Sequence, residues 1–158
     1  AIHNTTPGLL IGIALYEIFE YWNKQQNAYL NSTDTTISSF YEKIEEHYGE
    51  NICFSLGALN GKGWGFFNQK EYEKAINAWK QLVYEYPNFA EGYLYIIMAQ
   101  KELNINNNEM LKKFMNSLKI SEFYTKKEKK DLKKEVKALL IIINLGKNIP
   151  LLFEIFNL

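Results

Sequence analysis

The sequence contains no arginine, and every one of its 18 basic residues is lysine. Without a guanidinium group, the chain has no planar fork for bidentate recognition of phosphate or carboxylate groups. Cysteine occurs once, at Cys53, so an internal disulfide is excluded. The only two histidines, His3 and His47, fit no metal-binding helix motif, and we expect no metal site.

Long hydrophobic runs are also missing. The run from Gly8 to Leu15 is shorter than the roughly 18 apolar residues that a membrane span needs, and Glu17 follows soon after it. No basic segment precedes this run, so the sequence predicts neither a membrane-spanning helix nor a cleavable signal.

Apolar residues recur at helical spacing along nearly the whole chain of 158 residues, and no strand or hairpin pattern is present. We therefore predict a single all-α domain. Residues 1–50 are predicted to form an N-terminal helix pair that Gly49 ends. A capping box from Thr125 to Glu128 begins a lysine-rich helix, and Pro150 is predicted to open a last short helix.

The most informative pattern lies between Gly63 and Pro87. It consists of Gly63, Phe66, Tyr72, Ala75, Trp79, Leu82 and Pro87, spaced three, four or seven apart inside two helical stretches. Ala75 is small where the two helices of a pair approach closely, whereas Trp79 fills the space between one pair and the next. Pro87 cannot continue the helix before it, so the chain turns there.

These residues resemble the tetratricopeptide repeat, a helix pair of about 34 residues. Counted from Leu56, the matches to its small, aromatic and proline positions are Gly63, Ala75, Trp79 and Pro87. A second unit from Ala90 matches at Tyr93, Ile96, Ala99 and Leu103, has Ile97 where glycine is usual, and fits with about one inserted residue at 104–108. The resemblance implies a short array of antiparallel helix pairs, with two repeats in residues 52–121 and C-terminal capping helices in residues 122–158.

The resemblance also implies a function, because the first helices of such units build a concave groove that binds a partner protein. The implied partner-binding residues are Asn60, Trp64, Phe67, Asn68, Glu91, Leu94, Tyr95, Met98 and Lys101. One subgroup of the family grips acidic chaperone C-termini with lysine and asparagine. The matching positions here, Asn60, Trp64, Glu91 and Tyr95, do not form that clamp. The alternative is that the flanking helices cover Trp64, Phe67 and Tyr95, and that these residues belong to the core and do not bind a partner.

The first functional hypothesis is therefore a non-enzymatic protein-binding scaffold of the tetratricopeptide type. The alternative is attachment to an anionic membrane or to nucleic acid through the segment KKEKKDLKKEVK, with seven lysines and three acids. No base, acid or nucleophile is placed for catalysis, so we assign no catalytic residue and expect no cofactor and no small-molecule substrate. Under the first hypothesis the partner is another protein, nucleic acid is not expected, and membrane contact stays open.

The segment GALNGKGWGFF has the wrong spacing for a phosphate-binding loop, and no strand precedes it. Gly57, Gly61 and Gly65 recur every four residues and predict a smooth helix stripe against which another backbone packs. Cys53, between Ile52 and Phe54, is predicted to be buried and unreactive.

Location and charge complete the expectations. The segment YEYPNFAEGYLYIIMAQKEL is similar to repeat proteins of the bacterial cell envelope that scaffold outer-membrane assembly, which implies an envelope location, with the cytoplasm as the alternative. Residues 1–50 hold seven acids and two lysines, whereas residues 110–158 hold five acids and eleven lysines. We expect this asymmetry to steer a partner or to pair the two ends.

Overall fold

This computed structural model describes the backbone of residues 6–144 and the side chains of residues 10–140. These residues form seven α-helices joined by turns, and they contain no strand. The helices are α1 (Thr6–Asn31), α2 (Ser38–Tyr48), α3 (Leu56–Asn68), α4 (Tyr72–Glu85), α5 (Ala90–Glu102), α6 (Asn108–Ile120) and α7 (Lys126–Asn144). Successive helices from α3 to α6 pack on each other, α1 packs on α2 and α3, and α7 packs on α5. The predicted all-α array of packed helices is confirmed. The helix predicted at Pro150 lies outside the described residues.

The α3–α4 pair and the α5–α6 pair are two copies of one structural unit, here called unit 1 and unit 2. Helix α3 spans Leu56–Asn68 and α5 spans Ala90–Glu102, so both ends are displaced by 34 residues. The turn after each helix contains a non-glycine residue in the left-handed region, Lys70 with φ 62° and Asn104 with φ 56°. These two residues are also 34 positions apart.

Hydrogen bonds in the two turns repeat at the same distance along the chain. The backbone N–H of Glu71 donates to the carbonyl of Phe66 at 3.0 Å, and that of Ile105 donates to the carbonyl of Gln100 at 2.9 Å. Helix α6 then starts later relative to α5 than α4 does relative to α3. This longer turn is where the sequence predicted an inserted residue.

The centre of unit 1 depends on a glycine. Trp79 of α4 is fully buried, and a Cβ atom built at Gly63 of α3 would collide with its indole ring. Any other residue at position 63 would therefore displace the tryptophan or push the two helices apart. The pairing explains why a small residue on one helix accompanies a large aromatic residue on the next.

Lys62 ties the N-terminal pair to unit 1. Its Nζ donates to the carbonyl oxygen of Tyr29 at 2.7 Å and to that of Ser32, at the C-terminal end of α1. Carbonyls at a helix end have no partner within the helix, and a cation there also interacts favourably with the helix dipole. Burial lowers the pKa of Lys62, while the nearby Asp34 partly opposes that shift. The lysine among glycines is thus a cap for α1.

Two local predictions are wrong. Gly57, Gly61 and Gly65 are exposed, and a Cβ atom at any of them would meet open space. The reason is that α3 packs through its other faces, which include Leu59 and Gly63. Cys53 is exposed rather than buried, and its thiol donates to Glu85 at 2.9 Å. Desolvation and this carboxylate raise the pKa of Cys53 to about 11, which keeps the thiol protonated at neutral pH.

Helix α1 changes character at Tyr48 of α2. The Tyr48 hydroxyl accepts a hydrogen bond from the backbone N–H of Trp22 at 3.1 Å and donates to the carbonyl of Ile18 at 2.6 Å, so it is inserted into the backbone ladder of α1. The helix packs on the body after this point, whereas residues 10–20 before it are exposed on all sides. No helix within residues 6–144 combines the length and apolar character needed to cross a membrane.

Candidate partner-binding surface

Four half-buried apolar side chains of α3 and α5 lie at the junction of the two units. Trp64 and Phe67 come from α3. Tyr95 and Met98 come from α5, where they are three residues apart and lie on one face of the helix. The ring centroids of Trp64 and Phe67 lie 5.4 Å apart, and those of Trp64 and Tyr95 lie 5.0 Å apart. We call these four residues the aromatic surface.

The aromatic surface rests on Trp79. The indole of Trp79 lies 5.3 Å from Trp64, 5.7 Å from Phe67 and 5.4 Å from Tyr95 between ring centroids. Its Nε1 donates to Oδ1 of Asn60 at 3.2 Å, which fixes the ring orientation. Rings held in this way lose little further freedom when a partner binds, so binding carries a small entropic cost.

The other predicted binding residues occupy different environments. Asn68 is exposed, whereas Asn60 and Lys101 are half-buried, and Asn60 already holds Trp79. Glu91 accepts a hydrogen bond from the Tyr124 hydroxyl at 3.1 Å. Leu94 is only 1% exposed and belongs to the core, so its side chain is not available to a partner.

Acidic groups surround Tyr95. Burial raises the pKa of Tyr95 to about 12, and the negative charges of Glu91 and Glu135 add to the shift. A carboxylate changes the pKa of a phenol in this direction because it disfavours a second negative charge nearby. The tyrosine at the middle of the aromatic surface therefore lies in a negative field that comes from both α5 and α7.

Sequence reasoning missed the contribution of α7 and of the turn before it. Glu135 acts on Tyr95, and Tyr124 holds the carboxylate of Glu91. A usable signal was present, because Glu128, Asp131 and Glu135 are spaced i, i+3 and i+7 and share one face of the helix. That pattern indicates an acidic stripe on a segment whose lysines alone were assigned a function.

The lysines of α7 form a stripe of their own on the opposite flank. Lys126, Lys130, Lys133 and Lys137 are spaced i, i+4, i+7 and i+11, and all four are exposed. The face between the two stripes is apolar and buried through Leu132 and Val136. Of the acids of α7, Glu135 acts on Tyr95, whereas these four lysines lie on the opposite flank of the helix.

The potential metal ligands of the described residues lie apart from one another. Within those residues, no three side chains of histidine, cysteine, aspartate or glutamate are grouped so as to hold a metal ion. Cys53 is bonded to Glu85, and His47 stacks on Tyr21 with ring centroids 4.1 Å apart.

The chain matches none of the protein-family models, curated proteins or solved structures with which it was compared. The resemblance to tetratricopeptide repeats therefore rests on the residues themselves and on the 34-residue displacement between Leu56 and Ala90 in the fold.

Proposed function

We propose that this chain is a non-enzymatic scaffold of the tetratricopeptide type that binds a segment of a partner protein on the aromatic surface. The observation that carries the proposal is the row of half-exposed rings, Trp64, Phe67 and Tyr95, which joins unit 1 to unit 2. The repeated helix pair with its 34-residue displacement supports the assignment of type.

The composition of the aromatic surface is that of a binding hot spot. Tryptophan and tyrosine dominate the energetics of protein interfaces, and methionine adapts to partners of different shape. The rings of Trp64 and Tyr95 are already held by the buried Trp79, so little order remains to be imposed. A surface both apolar and rigid suits the apolar anchors of a helix or an extended peptide.

The test is affinity capture with the full chain from soluble and membrane fractions of the parent cell. The double variant Tyr95→Glu/Met98→Glu places two charges on the aromatic surface, and we expect it to lose the partner that the unchanged chain captures. The matched control is Tyr84→Glu/Ile120→Glu, which adds the same charges at residues 79% and 56% exposed on α4 and α6. We expect the control to retain the partner.

A folding check separates loss of binding from loss of structure. Because Tyr95 contacts Trp64 and Trp79, the single variant Met98→Glu serves as the milder change, and circular dichroism follows the helices of every variant. If folded Met98→Glu and the double variant both retain the partner at the level of the control, the aromatic surface is not the binding site.

The second candidate function is attachment to an anionic membrane through the lysine stripe of α7. The segregation of Lys126, Lys130 and Lys133 from the acids of the same helix favours it. Sedimentation with vesicles containing anionic lipid should then pull down the chain at low salt and release it as salt rises, since such contacts are screened. Binding that ignores salt, or that is equal on neutral vesicles, would exclude this role.

A further inference from the structure

The charged side chains around the aromatic surface are mostly acidic. On α5, Glu91, Tyr95, Met98 and Glu102 are spaced i, i+4, i+7 and i+11 and therefore share one face of the helix. The two ends of this row are carboxylates, and the two central residues belong to the aromatic surface. A ligand lying along α5 would meet Glu91 at one end of its apolar contact, and Glu102 with the neighbouring Lys101 at the other.

The helices on either side do not compensate this charge. Lys62 is the only charged residue of α3, and its ammonium group is occupied by the carbonyls at the end of α1. On the α7 side, Asp131 is paired with Lys134 at 3.0 Å, and Glu128 accepts a hydrogen bond from the backbone N–H of Thr125 in the capping box. Glu135 has neither kind of contact to a described residue, and it acts on Tyr95.

Aromatic faces next to carboxylates favour one class of ligand group. A lysine or arginine over Trp64 or Tyr95 gains a cation–π interaction, and over Tyr95 it is also attracted by the charges of Glu91 and Glu135 that act on that ring. An acidic ligand would instead meet like charges, which disfavour association. The chemistry therefore discriminates by charge as well as by apolar contact.

Neither of the two helices of this chain that could supply such a ligand from a second copy has the right composition. The exposed half of α1 is apolar but carries Glu17 and Glu20, with no lysine before Lys24. Helix α7 is basic, but its apolar residues Leu132 and Val136 are buried in its own core. Among the described residues, neither helix therefore complements the aromatic surface.

We propose that the partner segment is an amphipathic helix or peptide with apolar anchors for Trp64 and Tyr95 and with basic residues that pair with Glu91 and Glu135. The inference rests on the proposed function, because it names the chemistry of the ligand for the same surface. It assigns Glu91 and Glu135 as the residues that select the charge of that ligand.

The test is selection of random peptides of about 16 residues, roughly four helical turns, displayed on phage and bound to the full chain. Peptides that bind the unchanged chain but not Met98→Glu define ligands of the aromatic surface. We expect lysine and arginine to outnumber aspartate and glutamate among them. Fluorescence anisotropy of one labelled, selected peptide then measures affinity against variants of the chain.

Removing the charges of Glu91 and Glu135 should lower the affinity for that peptide by a modest factor. Glu135→Gln should weaken it about two- to fivefold, and Glu91→Gln/Glu135→Gln about five- to tenfold, because partly exposed charge pairs contribute little each. The matched control, Glu73→Gln, removes an exposed acid of α4 and should leave the affinity unchanged. Replacing the basic residues of the peptide by glutamate should abolish binding to the unchanged chain.

The possible failures are distinguishable. If Met98-dependent peptides are neutral or acidic, or if Glu91→Gln/Glu135→Gln binds as tightly as the unchanged chain, the charge inference is overturned while the docking function stands. If no peptide is enriched in a Met98-dependent way, the aromatic surface is not a peptide site, and the inference falls together with the proposed function.

Discussion

Units 1 and 2 share a backbone plan and solve the same packing problem with different residue pairs. Unit 1 places Gly63 on its first helix and Trp79 on its second. The corresponding positions of unit 2, after allowing for one inserted residue in the turn between α5 and α6, hold Ile97 and Phe114. Trp79, Ile97 and Phe114 are all fully buried. Position 63 thus has no side chain where position 97 has isoleucine, and the ring at position 79 is larger than the ring at position 114. We expect the combined volume of the two residues to matter more than either residue alone.

The difference between the units has a functional side. Only the larger pair of unit 1 brings a buried indole under the aromatic surface, where Trp79 contacts both Trp64 and Tyr95. Gly63 leaves the room for that indole. A glycine within the core thereby supports the residues that we propose to bind the partner.

Truncating the two rings should separate stability from binding and gives the largest expected effect. Trp79→Ala and Phe114→Ala should each reduce the free energy of unfolding by about 3–5 kcal/mol, because both remove a fully buried ring. Urea denaturation measures this loss. Under conditions where both variants are folded, only Trp79→Ala should also weaken binding of the captured partner. Equal loss of binding in Phe114→Ala would contradict the special role given to unit 1.

Transplanting the pair of unit 2 into unit 1 tests volume compensation. Gly63→Ile alone should destabilise the protein by about 1–3 kcal/mol or more, since its side chain collides with Trp79. Adding Trp79→Phe should recover part of that loss, although Trp79→Phe alone is destabilising. A double-mutant cycle from urea denaturation gives the coupling. If the two losses simply add, the pair does not compensate in volume.

Alkaline pH should probe Tyr95 on the unit 2 side of the aromatic surface. Its pKa in the folded protein is about 12, against an ordinary value of 10.0, so the unfolded chain releases this proton first. The contribution is fully present below pH 10 and is lost as pH rises toward 12, by roughly 1 kcal/mol once solvent screening of this half-buried side chain is included. Denaturation of Tyr95→Phe across this range should show a shallower fall than the unchanged chain. An identical slope would mean that Tyr95 is not shielded.

The glycines of α3 offer the smallest expected effect and a direct contrast within unit 1. Gly61→Ala should stabilise the protein by about 0.5–1 kcal/mol, because position 61 is open to solvent and alanine favours a helix. Gly63→Ala, two residues away, should destabilise it. Thermal unfolding of both variants measures the two effects. A lower melting temperature for Gly61→Ala would support the prediction that the glycine stripe packs against another backbone.

Helix positions could be predicted from the sequence because the signals are local. Apolar spacing placed the helices, Gly49 ends α2 in the left-handed conformation, and Thr125 and Glu128 form the predicted capping box. The repeat pattern predicted a small residue at 63 and an aromatic residue at 79. It placed Trp79 between one helix pair and the next and did not predict its contact with Gly63.

The remaining features depend on contacts between distant residues. Lys62 caps a helix about thirty positions earlier, and Tyr124 reaches back to Glu91, so no local pattern indicates either bond. Three glycines spaced four apart define one face of α3, but spacing alone does not say whether that face meets solvent or another helix. The exposure of Cys53 likewise depends on how the segment before α3 lies against Glu85.

Nuclear magnetic resonance with a selected peptide or the captured partner tests the central claim most directly. The chain has three tryptophans and three methionines, so the Trp64 indole N–H and the Met98 methyl group can be assigned by single substitutions. We expect these two signals to shift most when the ligand is added, with Trp22 and Met110 little changed. Shifts confined to α1 or to the lysine stripe of α7, with Trp64 and Met98 unmoved, would contradict a binding site on the aromatic surface.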